Sequence, residues 1–158
     1  MKSKIFISLL VALVMLFTLT APALAGKPSR GDLMRNPDQE GPWEPGMKYQ
    51  YAAQVTHDNY VKVTIVLKGQ TENNNYWVWV YDDWYQEYYY VGTFQTDLDG
   101  NARYRGVTTG DPLPSTPTTR ALKIVVRNIA AEPPTPLPPW NELAAGCFMA
   151  TWNDATFN

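Results

Sequence analysis

Tyr60-Val61-Lys62-Val63-Thr64-Ile65-Val66-Leu67-Lys68 alternates with a period of two. Val61, Val63, Ile65 and Leu67 share one face, and Lys62, Thr64 and Lys68 lie on the other, so the stretch reads as a strand with one side in a core. The flanking sequence repeats the theme. Residues 48–55 form a candidate strand upstream, separated by a turn at His57-Asp58-Asn59. Downstream, 69–75 is a polar turn whose three asparagines, Asn73 to Asn75, tolerate left-handed backbone better than most residues.

Residues 76–81 and 85–96 are β-branched or aromatic at almost every position, with Asp82-Asp83-Trp84 between them to reverse the chain. On the first of these strands Trp77, Trp79 and Tyr81 share a face opposite Tyr76, Val78 and Val80. The valines are the natural core set, although the opposite register would put Trp77 and Trp79 inside instead. Asp97-Leu98-Asp99-Gly100-Asn101 reads as the next hairpin reversal, Gly100 supplying a positive φ. A strand at 102–108 projects Arg103 and Arg105 to one side, a Pro-rich link at 111–117 leads to a strand at 121–128, and a second at 132–139 leads to a final strand near 146–152. About seven strands with no helical pattern beyond the N-terminal run predict an antiparallel, immunoglobulin-like β-sandwich over 47–158, preceded by a poorly ordered leader at 26–46.

Gly92-Thr93-Phe94-Gln95-Thr96-Asp97-Leu98-Asp99-Gly100-Asn101 resembles the "GTFxTDxxGN" hairpin of small secreted bacterial and archaeal β-sandwich domains, mostly uncharacterised. The likeness spans residues 61–126 and is mainly turn chemistry. It implies a fold and no catalytic residue, and this chain carries more Tyr and Trp before the motif than those domains need.

Lys2 and Lys4 precede an uncharged apolar run at 5–19, and Ala23-Leu24-Ala25 places small residues where a signal peptidase cuts. The layout predicts a signal peptide at 1–25 and a secreted, cell-surface or periplasmic chain, an uncleaved anchor being the competing reading. Removing residues 1–25 takes two of the 13 basic residues and none of the 15 acidic ones, leaving a net charge of −4. The remaining basic residues are dispersed along the chain, so nucleic acid is an unexpected partner. Cys147 is the only cysteine, which excludes an intrachain disulfide. It reads as a small apolar group in the last strand, with an intermolecular bridge as the alternative.

Catalytic chemistry finds little to work with. Ser29 lies in the leader and Ser115 between prolines, and His57 is the single histidine, which leaves Cys147 with His57 as the one conceivable dyad. Asp82, Asp83 and Glu87 are the only carboxyl groups beside the aromatic cluster, and turn formation accounts for them. Asp97, Asp99 and Asn101 offer oxygen at alternate positions, but Gly100 falls at the fourth loop position and Thr108 stands where a calcium loop needs Glu. One His and one Cys cannot build a structural zinc site. The reading is a non-enzymatic domain without metal or cofactor.

Residues 76–90 hold nine aromatic side chains, more than one core face absorbs. Trp77, Trp79, Tyr81, Asp82, Asp83, Trp84, Tyr85, Tyr88 and Tyr90 are therefore the candidate surface. It would serve a protein partner or a second copy, or alternatively a glycan stacked on the rings. A third possibility covers both hairpin faces within the domain, with Trp79 filling the sandwich centre and Trp140 or Trp152 capping the outer rings. Export with cleavage after Ala25 predicts a mature chain that begins at Gly26, which N-terminal sequencing of the secreted protein checks.

Overall fold

The computed structural model describes residues 28–35, 49–130 and 147–158. The expected signal peptide, residues 36–46 of the leader, the 132–139 link and Trp140 lie outside the described residues. All regular structure within them is β, and no helix there is long and apolar enough to cross a membrane. The strands are β1 (Ser29–Asp32), β2 (Met34–Arg35), β3 (Gln50–Val55), β4 (Val61–Leu67), β5 (Asn75–Asp82), β6 (Glu87–Gln95), β7 (Ala102–Val107), β8 (Thr119–Arg127) and β9 (Phe148–Thr156).

They form two antiparallel sheets, ordered β1-β3-β4-β7 and β2-β9-β8-β5-β6. Setting aside the short β1 and β2, three strands (β3, β4, β7) face four (β6, β5, β8, β9), which is the immunoglobulin-like arrangement. The alternation in β4 behaves as its sequence demands. Val61, Val63, Ile65 and Leu67 are fully buried, opposite Tyr76, Val78 and Val80 of β5, Leu122, Ile124 and Val126 of β8, and Phe148, Ala150 and Trp152 of β9. Each such side chain contributes roughly 1.5–3 kcal/mol on burial, so the two facing sets hold the sheets together. The large ring at the centre is Trp152, not Trp79, because β9 turns Trp152 inward while β5 turns Trp79 out.

The leader is partly structured. Ser29–Asp32 pairs with β3 and Met34–Arg35 with β9, so this segment touches both sheets. Leu33 between them is buried, and its amide donates to Tyr49 O at 2.9 Å. Four and two residues are too few to establish a visible period, which is why the sequence reads as a leader there.

The GTFxTDxxGN stretch is a corner and not a hairpin. β6 and β7 belong to different sheets, so residues 96–101 carry the chain across the sandwich. The turn chemistry expected of it is real. The Asp97 carboxylate accepts from the amides of Asp99 (2.9 Å) and Asn101 (2.8 Å), and Gly100 has φ of 72°. The corner also docks on the preceding loop, where the Gln70 amide donates to Gly100 O at 2.9 Å and Thr96 Oγ1 to Thr71 O at 2.6 Å. In that loop Asn73 does adopt the left-handed conformation, with φ of 52°. Beyond the corner, Tyr104 of β7 stacks on Phe94 and donates its hydroxyl to Val91 O at 3.1 Å, joining the two sheets at their edge.

A Cβ at Gly100 would lie 1.9 Å from the Gln70 carbonyl oxygen, a backbone atom that no rotamer change can move. Gly100→Ala should therefore cost about 2 kcal/mol or more. Tyr104→Phe, which removes one hydrogen bond, should cost only about 1 kcal/mol. Urea unfolding of the two variants checks the order.

Candidate functional site

The outer face of the five-stranded sheet carries the aromatic residues, in rows that follow from strand register. One row runs Met34, Met149, Val125, Trp79, Tyr90 across all five strands. A second runs Thr151, Lys123, Tyr81, Tyr88, and Arg127 pairs with Trp77 in a third. Tyr81, Val125, Cys147 and Met149 are buried here as a second, smaller core, with Trp79 and Tyr88 packed on it. Tyr81, expected on the partner surface, is thus only 3 % exposed. Tyr88 covers it on one side and Lys123 on the other, and it clusters with Val125, Cys147 and Met149, so the outer face buries its own centre.

The rings interlock at steep angles. Trp79 and Tyr90 have centroids 4.8 Å apart at 54°, Tyr81 and Tyr88 4.7 Å apart at 42°, and Trp79 and Tyr88 6.4 Å apart at 82°. Tilted and edge-to-face packing is favoured by the ring quadrupoles, and it leaves these rings without a shared plane. Trp77, Trp79, Tyr88 and Tyr90 are half-buried. Tyr89 points the other way, against the sandwich core, where burial and then its 3.0 Å hydrogen bond to Glu87 Oε2 push its pKa well up.

Asp82 is the second candidate that the structure withdraws from the surface. It ends β5 fully buried, with Oδ2 2.6 Å from Arg120 Nε. Its Oδ1 accepts from the amides of Trp84 (3.0 Å) and Tyr85 (3.3 Å), and its carbonyl from the Gln86 amide at 2.8 Å. This is an Asx-type turn, and Gln86 closes it with φ of 56°. The reversal therefore lies at 83–86, where the sequence suggested 82–84. Arg120 is itself held by Pro117 O at 2.9 Å, with its guanidinium 3.7 Å above the Phe157 ring and 5.4 Å from the Tyr85 ring. Tyr85 completes the clamp by donating its hydroxyl to Thr116 O. Sequence reasoning missed Arg120, because nothing local links it to a turn 38 residues away.

Asp83 pairs with Lys123 at 2.6 Å in a half-exposed bridge, and the Lys123 ammonium lies 5.6 Å from the Tyr81 ring. The hairpin rings most open to solvent are those at the tip. Trp84 is 67 % exposed and Tyr85 38 %.

The nucleophile candidates do not meet. His57 sits on the exposed β3–β4 turn, and Cys147 is buried on the outer face of the other sheet, its thiol pKa raised by burial against the opposing pull of Arg127. Burial also removes it from intermolecular exchange in this conformation. Among the described residues no group of three or more His, Cys, Asp or Glu side chains is placed to hold a metal. Thr108, at the position a calcium loop gives to Glu, is buried and accepts from the Val61 amide at 3.0 Å.

Asp82→Ala should cost about 3–5 kcal/mol, since it strands the buried Arg120 guanidinium, and it should also loosen the turn that carries Trp84. Lys123→Ala breaks the half-exposed bridge and should cost about 0–1 kcal/mol. Denaturant unfolding measures both, and the tip's freedom reads out as lowered Trp84 fluorescence anisotropy in the first variant alone. Comparison of the chain with known proteins finds no matching family model, no matching curated protein and no matching solved structure.

Proposed function

We propose that this chain is an exported, non-enzymatic interaction module that binds a protein partner through the tip of its β5–β6 hairpin. The observation that carries the reading is Trp84, a large apolar ring 67 % exposed on a turn whose backbone is held by a buried carboxylate. An exposed indole on an ordered turn is the kind of group that dominates protein interfaces, and a preformed turn loses little entropy on binding. Tyr85 beside it and the half-buried Trp77, Tyr88 and Tyr90 extend the contact along the outer face. The glycan alternative uses the same indole, but the steep angles between neighbouring rings are a poor match to a flat sugar-stacking platform.

A photo-crosslinking residue at position 84, in the chain made by its own cells, should give a covalent adduct with a second polypeptide. The same residue at position 98, which is 73 % exposed on the corner at the far end of the sandwich, should not. Absence of a polypeptide adduct at position 84, together with retention on a polysaccharide that Trp84→Ala abolishes, would overturn the protein reading in favour of glycan.

A further inference from the structure

Arg30, Arg103 and Arg105, scattered in sequence, are brought together on the outer face of the four-stranded sheet. Register sets Arg30, Ala52, Thr64 and Arg105 in one row across β1, β3, β4 and β7, and Asp32, Gln50, Val66 and Arg103 in the next. A third row adds Lys62 between Gln54 and Val107. Arginines thus stand on both edge strands while small or polar side chains floor the centre. The result is a trough of about 530 Å³ lined by Arg30, Arg103, Arg105, Gln50 and Thr64 among others. All three arginines are exposed, and none forms an ion pair among the described residues. Asp32 is the single acid lining the trough, so its charge is +2 within a chain whose overall charge is −2.

We infer that this trough is a second binding site, and that its ligand is an anionic polysaccharide whose carboxylate or sulfate groups are taken by the guanidinium forks. Arg30 and Arg105 are separated by three interstrand steps, roughly 14 Å of backbone, so they stand on opposite edges of the trough, a spacing that suits successive charged groups along a polymer. Guanidinium groups bind such oxyanions through paired N–H donors, and the Gln50 amide and Thr64 hydroxyl supply hydrogen bonds between the charged ends. The lining offers no exposed aromatic ring on which a nucleobase would stack. It also lacks the large apolar anchor of a protein interface, and an extended peptide would pair with a sheet edge and not lie on a sheet face. The site lies on the opposite side of the sandwich from the aromatic rows and stands independently of the tip reading.

Affinity electrophoresis of the purified chain through polygalacturonate, heparin, neutral dextran, polyglutamate and single-stranded DNA tests this. Retardation by polygalacturonate or heparin and not by dextran is expected, weakening as salt rises. Arg30→Gln, which removes one bidentate contact, should weaken it by about tenfold, and Arg103→Gln/Arg105→Gln, which removes two, should weaken it further, while Trp84→Ala leaves it unchanged. These exposed substitutions should not move the melting temperature, which is measured alongside. No retardation by either polysaccharide, retardation insensitive to the arginine variants, or equal retardation by polyglutamate or DNA would overturn the inference.

Discussion

The register of β5 is the constraint on which the two sides of this protein depend. The strand is bonded on both edges, to β6 and to β8, and its side chains alternate between two large apolar sets. A slip by one residue would exchange Tyr76, Val78 and Val80 for Trp77, Trp79 and Tyr81 in the core. The slip is resisted at the strand's end, where Asp82 must meet Arg120 inside the fold and also cap the turn that follows. A buried pair of this kind adds little net stability, but breaking it is expensive, so it acts as a registry pin.

With that register set, the aromatic surplus divides by physical role. Tyr81 and the inner side of Trp79 are used up with Val125, Cys147 and Met149 in a second layer of packing. Tyr89 and Phe94 line the main core. The extra residue of β6, a bulge opposite the Val78/Trp79 step, lets Tyr88 and Tyr90 face outward while Val91 and Phe94 remain inside. The tip carries the most exposed ring of the hairpin, Trp84, on a turn whose backbone is held by side-chain hydrogen bonds to Asp82. The molecule therefore presents two chemically distinct surfaces: an aromatic one ending in an ordered turn, and an arginine-edged trough on the opposite sheet.

Much of the architecture was legible in the chain. The period of β4, the valine face of β5, the apolar alternation of Leu122, Ile124 and Val126, and the Asp-Gly turn chemistry all follow from local rules that act within a few residues. What escaped were short or non-local features. β1 and β2 are too brief to show a period. The Asp97–Asn101 turn has the same local chemistry whether it joins two neighbouring strands or two sheets. The burial of Tyr81 depends on Val125 and Met149, which come from strands far along the chain.

For the candidate sites the division is sharper. Sequence by itself determined the fold class, the faces of the long strands and the concentration of aromatic rings between residues 76 and 90, because alternation and composition are properties of a single segment. Tertiary structure alone decided which rings stay exposed, that Asp82 is consumed by Arg120, and that Arg30 meets Arg103 and Arg105 across one sheet. The physical reason is the same in each case. Exposure and electrostatic grouping are set by which strands lie side by side, and strand pairing joins residues whose separation along the chain carries no local signal.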